Sequence, residues 1–100
     1  MWYSTGSGRI ELNIPEHVIN ACYHSGACDD DVTHARHTEP ALEAQLQAID
    51  PALLRAELAE YGAWDDAELA DHDTNLDRLL WLACGDLADS IGENDVEPIY

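Results

Sequence analysis

The sequence predicts a single α+β domain, mostly helical, in which a short N-terminal β-hairpin packs on about four to five helices. A chain of 100 residues has room for one hydrophobic core. Hydrophobic residues make up 46% of it, which is typical of globular proteins and too high for a chain that its charge keeps disordered. Apolar residues alternate near the N-terminus and recur at helical spacing afterwards. We therefore expect residues 1–100 to form one domain.

An N-terminal hairpin is predicted by the segment MWYSTGSGRIELNI, residues 1–14. Two short extended runs flank a Gly-rich turn, and Ile10, Leu12 and Ile14 alternate with polar residues, as in a strand with one buried face. We therefore expect one face of this hairpin to lie against the helices that follow.

Three helices are predicted between residues 15 and 49. The first, PEHVINACYH, has Pro15 in its first turn and Gly26 after its end. Its apolar stripe consists of Val18, Ile19, Cys22 and Tyr23. Asp29 is expected to cap a short second helix that runs through Val32, and Thr38 is expected to start the third, EPALEAQLQAI. The helically spaced apolar residues of the third helix are Leu42, Leu46 and Ile49.

The clearest helix is DPALLRAELAEYG, because its start and stop signals agree. Asp50 is expected as the N-cap, Pro51 at the first helical position and Gly62 just past the end. Leu54 and Leu58 stand four residues apart, so they share one face. The segment therefore predicts a capped helix with a buried stripe.

Two further helices are predicted after Gly62. Asp65 is expected to cap a short helix, DAELA, and the last helix is expected to run from about Asp73 to Ile91, with Gly92 closing it. The buried face of the last helix is predicted to contain Leu76, Leu80, Ala83, Cys84, Leu87 and Ile91.

Acidity is the strongest feature of the sequence. It has 21 Asp and Glu residues against four Arg and no Lys, a formal net charge of −17. Duplex DNA carries one charge per roughly 1.7 Å of axis, so a charge of −17 corresponds to roughly 29 Å of duplex. The radius of gyration expected for a domain of this size is roughly 13 Å, which implies a comparable length. The chain therefore carries DNA-like charge at a DNA-like scale.

This charge limits the classes of partner. An acidic surface repels nucleic acid and phosphate-rich membranes, and it attracts basic grooves. We therefore expect no direct contact with nucleic acid or membrane. The sequence shows no N-terminal signal segment and no apolar run of roughly 18 residues, so a cytoplasmic protein is expected.

The acids are densest towards the end of the sequence. Residues 65–97 contain eleven acids and one base, Arg78. The pairs Asp73/Asp77 and Asp86/Asp89 have helical spacing, and each like-charge pair costs roughly 0.2 to 0.5 kcal/mol. An uncompensated acidic face is therefore predicted there. The expected partner-binding residues are Asp65, Asp66, Glu68, Asp71, Asp73, Asp77, Asp86, Asp89 and Glu93.

The segment CYHSGACDDDVTHARH, residues 22–37, resembles a metal site in composition but not in spacing. Zinc ligands are usually paired as C-x₂₋₄-C or H-x₃₋₅-H, whereas five residues separate Cys22 from Cys28 and only two separate His34 from His37. A small metal-binding module that uses these four residues remains an alternative. The favoured interpretation is that Cys22 lies in the core, the histidines are solvated, and no metal or other cofactor is bound.

No arrangement of residues indicates an enzyme. Ser25, Cys28 and the neighbouring histidines match no nucleophile signature, so no catalytic or cofactor-binding residue is predicted. Tyr61, Trp64 and Trp81 are interpreted as core and helix-packing residues. Two non-enzymatic functions remain: an acidic face that mimics nucleic acid and occupies a basic groove, or an acidic mobile-element or salt-adapted protein whose charge is spread for solvation. Clustering within residues 65–97 favours the first.

Two acidic runs bear on the function: HSGACDDDV and, downstream, LRAELAEYGAWDDAELADHDTNLDRLLWLACGDLA. With these runs, its small size and its Lys-free acidity, the sequence resembles the small acidic anti-CRISPR proteins encoded by phages. Several proteins of that group are DNA mimics. The resemblance implies a monomer in the bacterial host cytoplasm that blocks target DNA binding by a Cas effector. The type I complex Cascade is the expected effector, and type I-C the expected subtype. The resemblance implies no role for any individual residue.

Overall fold

The N-terminal hairpin is present, with strands β1 (Trp2–Ser4) and β2 (Glu11–Asn13) paired antiparallel. It is seen in a computed structural model that describes residues 1–25 and 28–95, and their side chains except at 23–25, 28, 29, 31 and 90–95. Tyr3 faces Leu12 across the pair, and both side chains point into the core. Gly8, with φ of +76°, supplies the left-handed residue that the connecting turn needs. The alternation in the sequence therefore predicted the buried face of the hairpin.

Within the described ranges, five α-helices follow the hairpin, which confirms the predicted α+β class. They are α1 (Glu16–Ser25), α2 (Cys28–Thr38), α3 (Pro40–Gln47), α4 (Pro51–Ala59) and α5 (His72–Asp95), with a 3₁₀ turn (Glu68–Ala70) before α5. Helix α5 is the central element, since it contacts α1, α2, α4, the 3₁₀ turn and β1, while α3 packs on α2 and β2. The core is dominated by leucines that are fully buried: Leu12, Leu42, Leu46, Leu54, Leu58, Leu76, Leu79 and Leu80.

Helix α4 has the predicted capping. The Asp50 carboxylate accepts a hydrogen bond from the Ala52 N–H at 3.0 Å, and Pro51 occupies the first turn. Gly62 adopts a φ of +70° beyond the end of the helix. Leu54 and Leu58 are both fully buried, so the predicted cap, first turn and buried stripe are confirmed, while the helix ends at Ala59, earlier than the position of Gly62 implied.

The predicted boundary between the second and third helices was wrong. Helix α2 does not stop at Val32 but continues to Thr38, whose hydroxyl donates to the His34 carbonyl one turn earlier at 3.0 Å. Thr38 therefore ends α2 instead of starting α3. The break falls at Glu39, which has a non-helical backbone (φ −117°, ψ 86°), because the ring of Pro40 disfavours a helical conformation in the preceding residue.

The two ends of α5 also differ from the prediction. The helix starts at His72 and continues through Gly92 to Asp95, so Gly92 does not close it. A glycine inside a helix costs only about 1 kcal/mol relative to alanine, which the rest of a long helix can offset. Leu76, Leu80, Ala83 and Cys84 are fully buried, and Leu87 packs partly against the core, as predicted. Three further predictions lie outside the described part of the chain. The side chains of the predicted core residues Tyr23 and Ile91 are not described, and neither is the predicted helix end at Gly26.

Candidate acidic interface

The first group of predicted interface residues lies in the loop that leads into α5. Asp65 and Glu68 form a reciprocal capping box around the 3₁₀ turn: the Glu68 N–H donates to the Asp65 carboxylate at 2.8 Å, and the Asp65 N–H donates to the Glu68 carboxylate at 3.0 Å. Asp65 is therefore a cap, as predicted, but the predicted short helix DAELA is only a 3₁₀ turn over Glu68–Ala70. Asp66 has a side chain that is 96% exposed and lies 3.7 Å from the Arg55 guanidinium. These carboxylates hold the loop while staying on the surface.

Asp71 caps the start of α5. Its carboxylate accepts a hydrogen bond from the Thr74 hydroxyl, and this bond, with further bonds from the backbone N–H groups of Thr74 and Asp73, lowers the pKa of Asp71. The residue is exposed, so it adds a persistent negative charge to the surface at the N-terminal end of the helix.

The prediction that Asp73 and Asp77 form an uncompensated like-charge pair was wrong. Arg36, from α2, donates from Nη2 to Asp73 Oδ1 at 2.9 Å and from Nη1 to Asp77 Oδ1 at 2.7 Å. The same guanidinium forms a two-bonded pair with Glu43 of α3, through Nε at 2.8 Å and Nη2 at 2.9 Å. We refer to Arg36, Glu43, Asp73 and Asp77 as the Arg36 cluster.

The Arg36 cluster connects three helices through one poorly exposed charge. The Arg36 side chain is 11% exposed, whereas the three carboxylates are 29% to 74% exposed. The hydrogen bonds to Glu43 are the main reason why the pKa of Arg36 is raised, and they lower the pKa of Glu43 from 4.5 to about 2. Two of the predicted interface residues therefore stabilise the fold as well as contributing surface charge.

The lowered pKa of Glu43 predicts loss of stability in acid. A carboxyl group whose pKa is lower in the folded protein contributes stability that is complete above its unfolded-state pKa of 4.5. That contribution should be lost as the pH falls from 4.5 to about 2. Urea unfolding measured over this pH range should show a smaller pH dependence for Glu43→Gln than for the wild type. A control variant, Glu11→Gln, which removes an exposed strand carboxylate, should keep a dependence close to that of the wild type. Equal curves for the two variants would contradict the assignment.

The remaining acids of α5 lie on a different side of the helix. At 3.6 residues per turn, Asp86 and Asp89 are rotated by about 120° to 180° from Asp77 and Asp73 around the helix axis. Both are exposed, and neither is within ion-pair distance of a base among the described side chains. The side chain of Glu93 lies outside the described part. The acids of α5 thus form two separate surfaces, Asp73 with Asp77 and Asp86 with Asp89, of which only the second has no neutralising arginine among the described side chains.

A groove adjoins this second surface. It has a volume of about 510 Å³ and is lined by Tyr3, Ser4, Gly6, Tyr61, Trp81, Leu82, Gly85, Asp86 and Asp89, and we call it the aromatic groove. Tyr61 and Trp81 were predicted to be core residues, but their exposures are 46% and 43%. Trp81 follows the fully buried Leu80 by one helical position, which rotates it by about 100° to the outer side of α5. Trp64 does pack against the core, and the Arg78 guanidinium lies 5.3 Å from its ring centroid.

The described side chains of the alternative metal site, those of Cys22, His34 and His37, do not come together as a set of metal ligands. Cys22 is buried in α1, as predicted, while His34 and His37 are exposed on α2. The side chain of Cys28 lies outside the described part. Among the described side chains, no group of three or more His, Cys, Asp or Glu residues is close enough to hold a metal ion.

We expect treatment with a chelator to leave the protein unchanged. The melting temperature measured with and without EDTA should agree, because the described side chains offer no metal-ligand set to lose. Metal analysis of the purified protein provides the control. About one equivalent of zinc, together with a large drop in melting temperature in EDTA, would instead support the module formed by Cys22, Cys28, His34 and His37.

Comparisons with known proteins do not assign the chain to a family. No family model matches it, and no curated protein or solved structure shows significant similarity. Within the described ranges, none of the helices combines the length and the apolar character needed to cross a lipid bilayer. A function for this chain must therefore be inferred from its own residues.

Proposed function

We propose that the protein is a nucleic-acid mimic that uses exposed carboxylates to occupy a basic nucleic-acid-binding groove of another protein. The observation that carries the proposal is the position of Asp86 and Asp89, which are exposed on α5 and lie outside ion-pair distance of the described arginines. Such carboxylates gain electrostatic energy from an external cation, whereas Asp73 and Asp77 already have one.

The internal use of the arginines supports this proposal. Arg9, Arg36 and Arg55 each form ion pairs with carboxylates, and Arg78 donates to the Glu68 carbonyl at 2.7 Å while lying over Trp64. Each of the four bases in the sequence is thus engaged within the chain, while the net charge remains −17. Helix α5, with 24 residues, is about 36 Å long, so it can place acids along a length similar to that of a bound duplex segment.

The proposed partner is a Cas effector. The resemblance to acidic anti-CRISPR proteins makes Cascade, the type I surveillance complex, the first choice, with type I-C as the subtype. In this proposal the protein acts as a monomer in the cytoplasm of the bacterial host, binds no nucleic acid itself and performs no catalysis. It prevents target DNA binding because both ligands require the same basic groove.

The proposal is tested by competition for a DNA target. Purified type I-C Cascade should lose its binding to target duplex as the protein is added, and the effect should weaken at high salt because exposed charges are then screened. The variant Asp86→Asn/Asp89→Asn should compete less well and with a shallower salt dependence. It should remain folded, since both side chains are exposed and their like-charge repulsion is removed.

A matched control separates position from total charge. The variant Glu11→Gln/Asp30→Asn removes the same amount of charge from exposed residues of β2 and α2, outside α5. It should compete almost as well as the wild type. If the wild type does not displace DNA at low salt, the proposed partner is wrong. If both variants compete equally with the wild type, Asp86 and Asp89 are not in the interface.

The separation of the acids into two surfaces favours a second candidate function, that of a general solvation device. In a salt-adapted protein the charge would be spread over the molecule and would have no specific partner. Affinity capture from a bacterial lysate distinguishes the two functions. A nucleoprotein complex that is retained at low salt and released at high salt supports the mimic, whereas recovery of nothing at either salt supports solvation.

A further inference from the structure

We infer that the aromatic groove is a subsite for an arginine side chain of the partner, held by Trp81 or Tyr61 and by the carboxylates of Asp86 and Asp89. The inference deepens the proposed function, on which it rests for the identity of the protein that supplies the arginine.

The groove is built on two fixed elements of the fold. Tyr3, on β1, is 5% exposed, and its hydroxyl lies 2.9 Å from that of Tyr61, which follows α4. On the other side Trp81 and Gly85 stand four residues apart on α5, so they lie one above the other along the groove. No neighbouring atom lies within 4 Å of the place where a Cβ of Gly85 would be, so the groove is open at this position.

The charge contributed by the described lining of the groove is negative. Asp86 and Asp89 are its acids, and the described lining residues include no Arg or His. Tyr3 stays neutral, because burial and its hydrogen bond to Tyr61 raise the pKa of the phenol, with a smaller contribution from the negative charge of Asp86. Two exposed aromatic side chains beside two carboxylates form a surface that is complementary to a cation with an apolar face.

Arginine fits this combination better than lysine. Its guanidinium is planar, stacks on aromatic rings and donates two parallel hydrogen bonds to a carboxylate, whereas the ammonium of lysine is a compact and strongly hydrated charge. The protein shows both interactions internally, with Arg78 over Trp64 and Arg36 on Glu43. A second copy of this chain is a poor source of the arginine, because its own four are engaged and its net charge of −17 repels the first copy.

The test uses a short peptide and needs no Cas protein. Acetyl-Gly-Arg-Gly-Arg-Gly-amide should cause saturable shifts in the NMR signals of the Trp81 indole N–H and the Gly85 amide. The same peptide with citrulline in place of arginine keeps the shape but lacks the charge, so it should cause no saturable shift. Trp81→Ala should weaken binding by about two- to fivefold, which corresponds to one exposed cation–π contact. Asp86→Asn/Asp89→Asn should weaken it by about fivefold or more.

The control variant Glu11→Gln/Asp30→Asn should stay within about twofold of the wild type, because neither residue belongs to the groove lining and salt screens exposed charges that do not contact the peptide. Equal losses in the groove and control variants, or saturable shifts with the citrulline peptide, would overturn the inference. Absence of saturable shifts in the wild type would overturn it as well. The DNA competition described above tests the proposed function independently of the peptide experiment. If the groove binds arginine but the protein does not compete with DNA, only the choice of partner is contradicted.

Discussion

Replacing Arg36 with Gln should lower the free energy of unfolding by about 3 kcal/mol, because it leaves three carboxylates without their cation. Breaking a buried ion pair by removing one partner typically costs 3 to 5 kcal/mol, and the partial exposure of the carboxylates places this case at the lower end. Arg36 itself is 11% exposed and pairs with Glu43, Asp73 and Asp77 at 2.7 to 2.9 Å. Urea unfolding followed by circular dichroism measures the change.

Arg55→Gln is the matched control for this prediction. Arg55 is also a helical arginine next to a carboxylate, but its side chain is 47% exposed, and Asp66 is 96% exposed at 3.7 Å. An exposed pair of this kind contributes about 0.2 to 1 kcal/mol. A similar loss in the two variants would show that the Arg36 cluster does not hold α2, α3 and α5 together.

Replacing Arg9 with Ala should lower the free energy of unfolding by about 2 to 3 kcal/mol, because it leaves a buried carboxylate with a single hydroxyl partner. Glu57 lies on α4 with a side chain that is 2% exposed, and Arg9 Nε is 3.1 Å from its Oε1. The Ser7 hydroxyl also donates to this carboxylate. For a domain of this size the expected drop in melting temperature is roughly 10 °C or more.

A second substitution identifies the cause of that loss. Glu57→Gln in the Arg9→Ala background should restore part of the stability, because a neutral amide costs less to bury than an unpaired charge. Glu60→Gln, which removes the exposed second partner of Arg9 at 3.6 Å, should cost about 0.5 kcal/mol or less. If Glu57→Gln lowers stability further in the Arg9→Ala background, the loss comes from packing and not from the unpaired carboxylate.

The parts of the fold that were predictable from the sequence depend on neighbouring residues. Asp50, Pro51 and Gly62 act within one or two turns of α4, and the structure has them in the predicted roles. The prediction that α3 starts at Thr38 was wrong, although the sequence contains the local signal for the correct boundary. Pro40 disfavours the helical conformation in the residue before it, which is Glu39. The outward position of Trp81 also follows from its place next to the buried Leu80.

The parts that were not predictable depend on distant residues. Arg36 is separated in sequence from Asp73 by 37 residues and from Asp77 by 41, and no local pattern indicates that they meet. The hydrogen bond from Ser7 to the buried Glu57 similarly joins residues that are 50 apart in the sequence. The number of acids in the sequence therefore predicted the sign and the size of the net charge. The division of α5 into a neutralised and an exposed surface could be seen only in the tertiary structure.

The central position of α5 has a consequence for synthesis on the ribosome. The hairpin, α1, α2 and α4 all pack on a helix that is translated after them. The gap from the end of α4 at Ala59 to the end of α5 at Asp95 takes about 2 to 7 s at 5 to 20 residues per second. During this interval the buried leucines of the earlier elements lack their packing surface. The native packing of these elements can therefore form only once α5 has left the ribosome, and the high negative charge of the nascent chain limits its association with other chains until then.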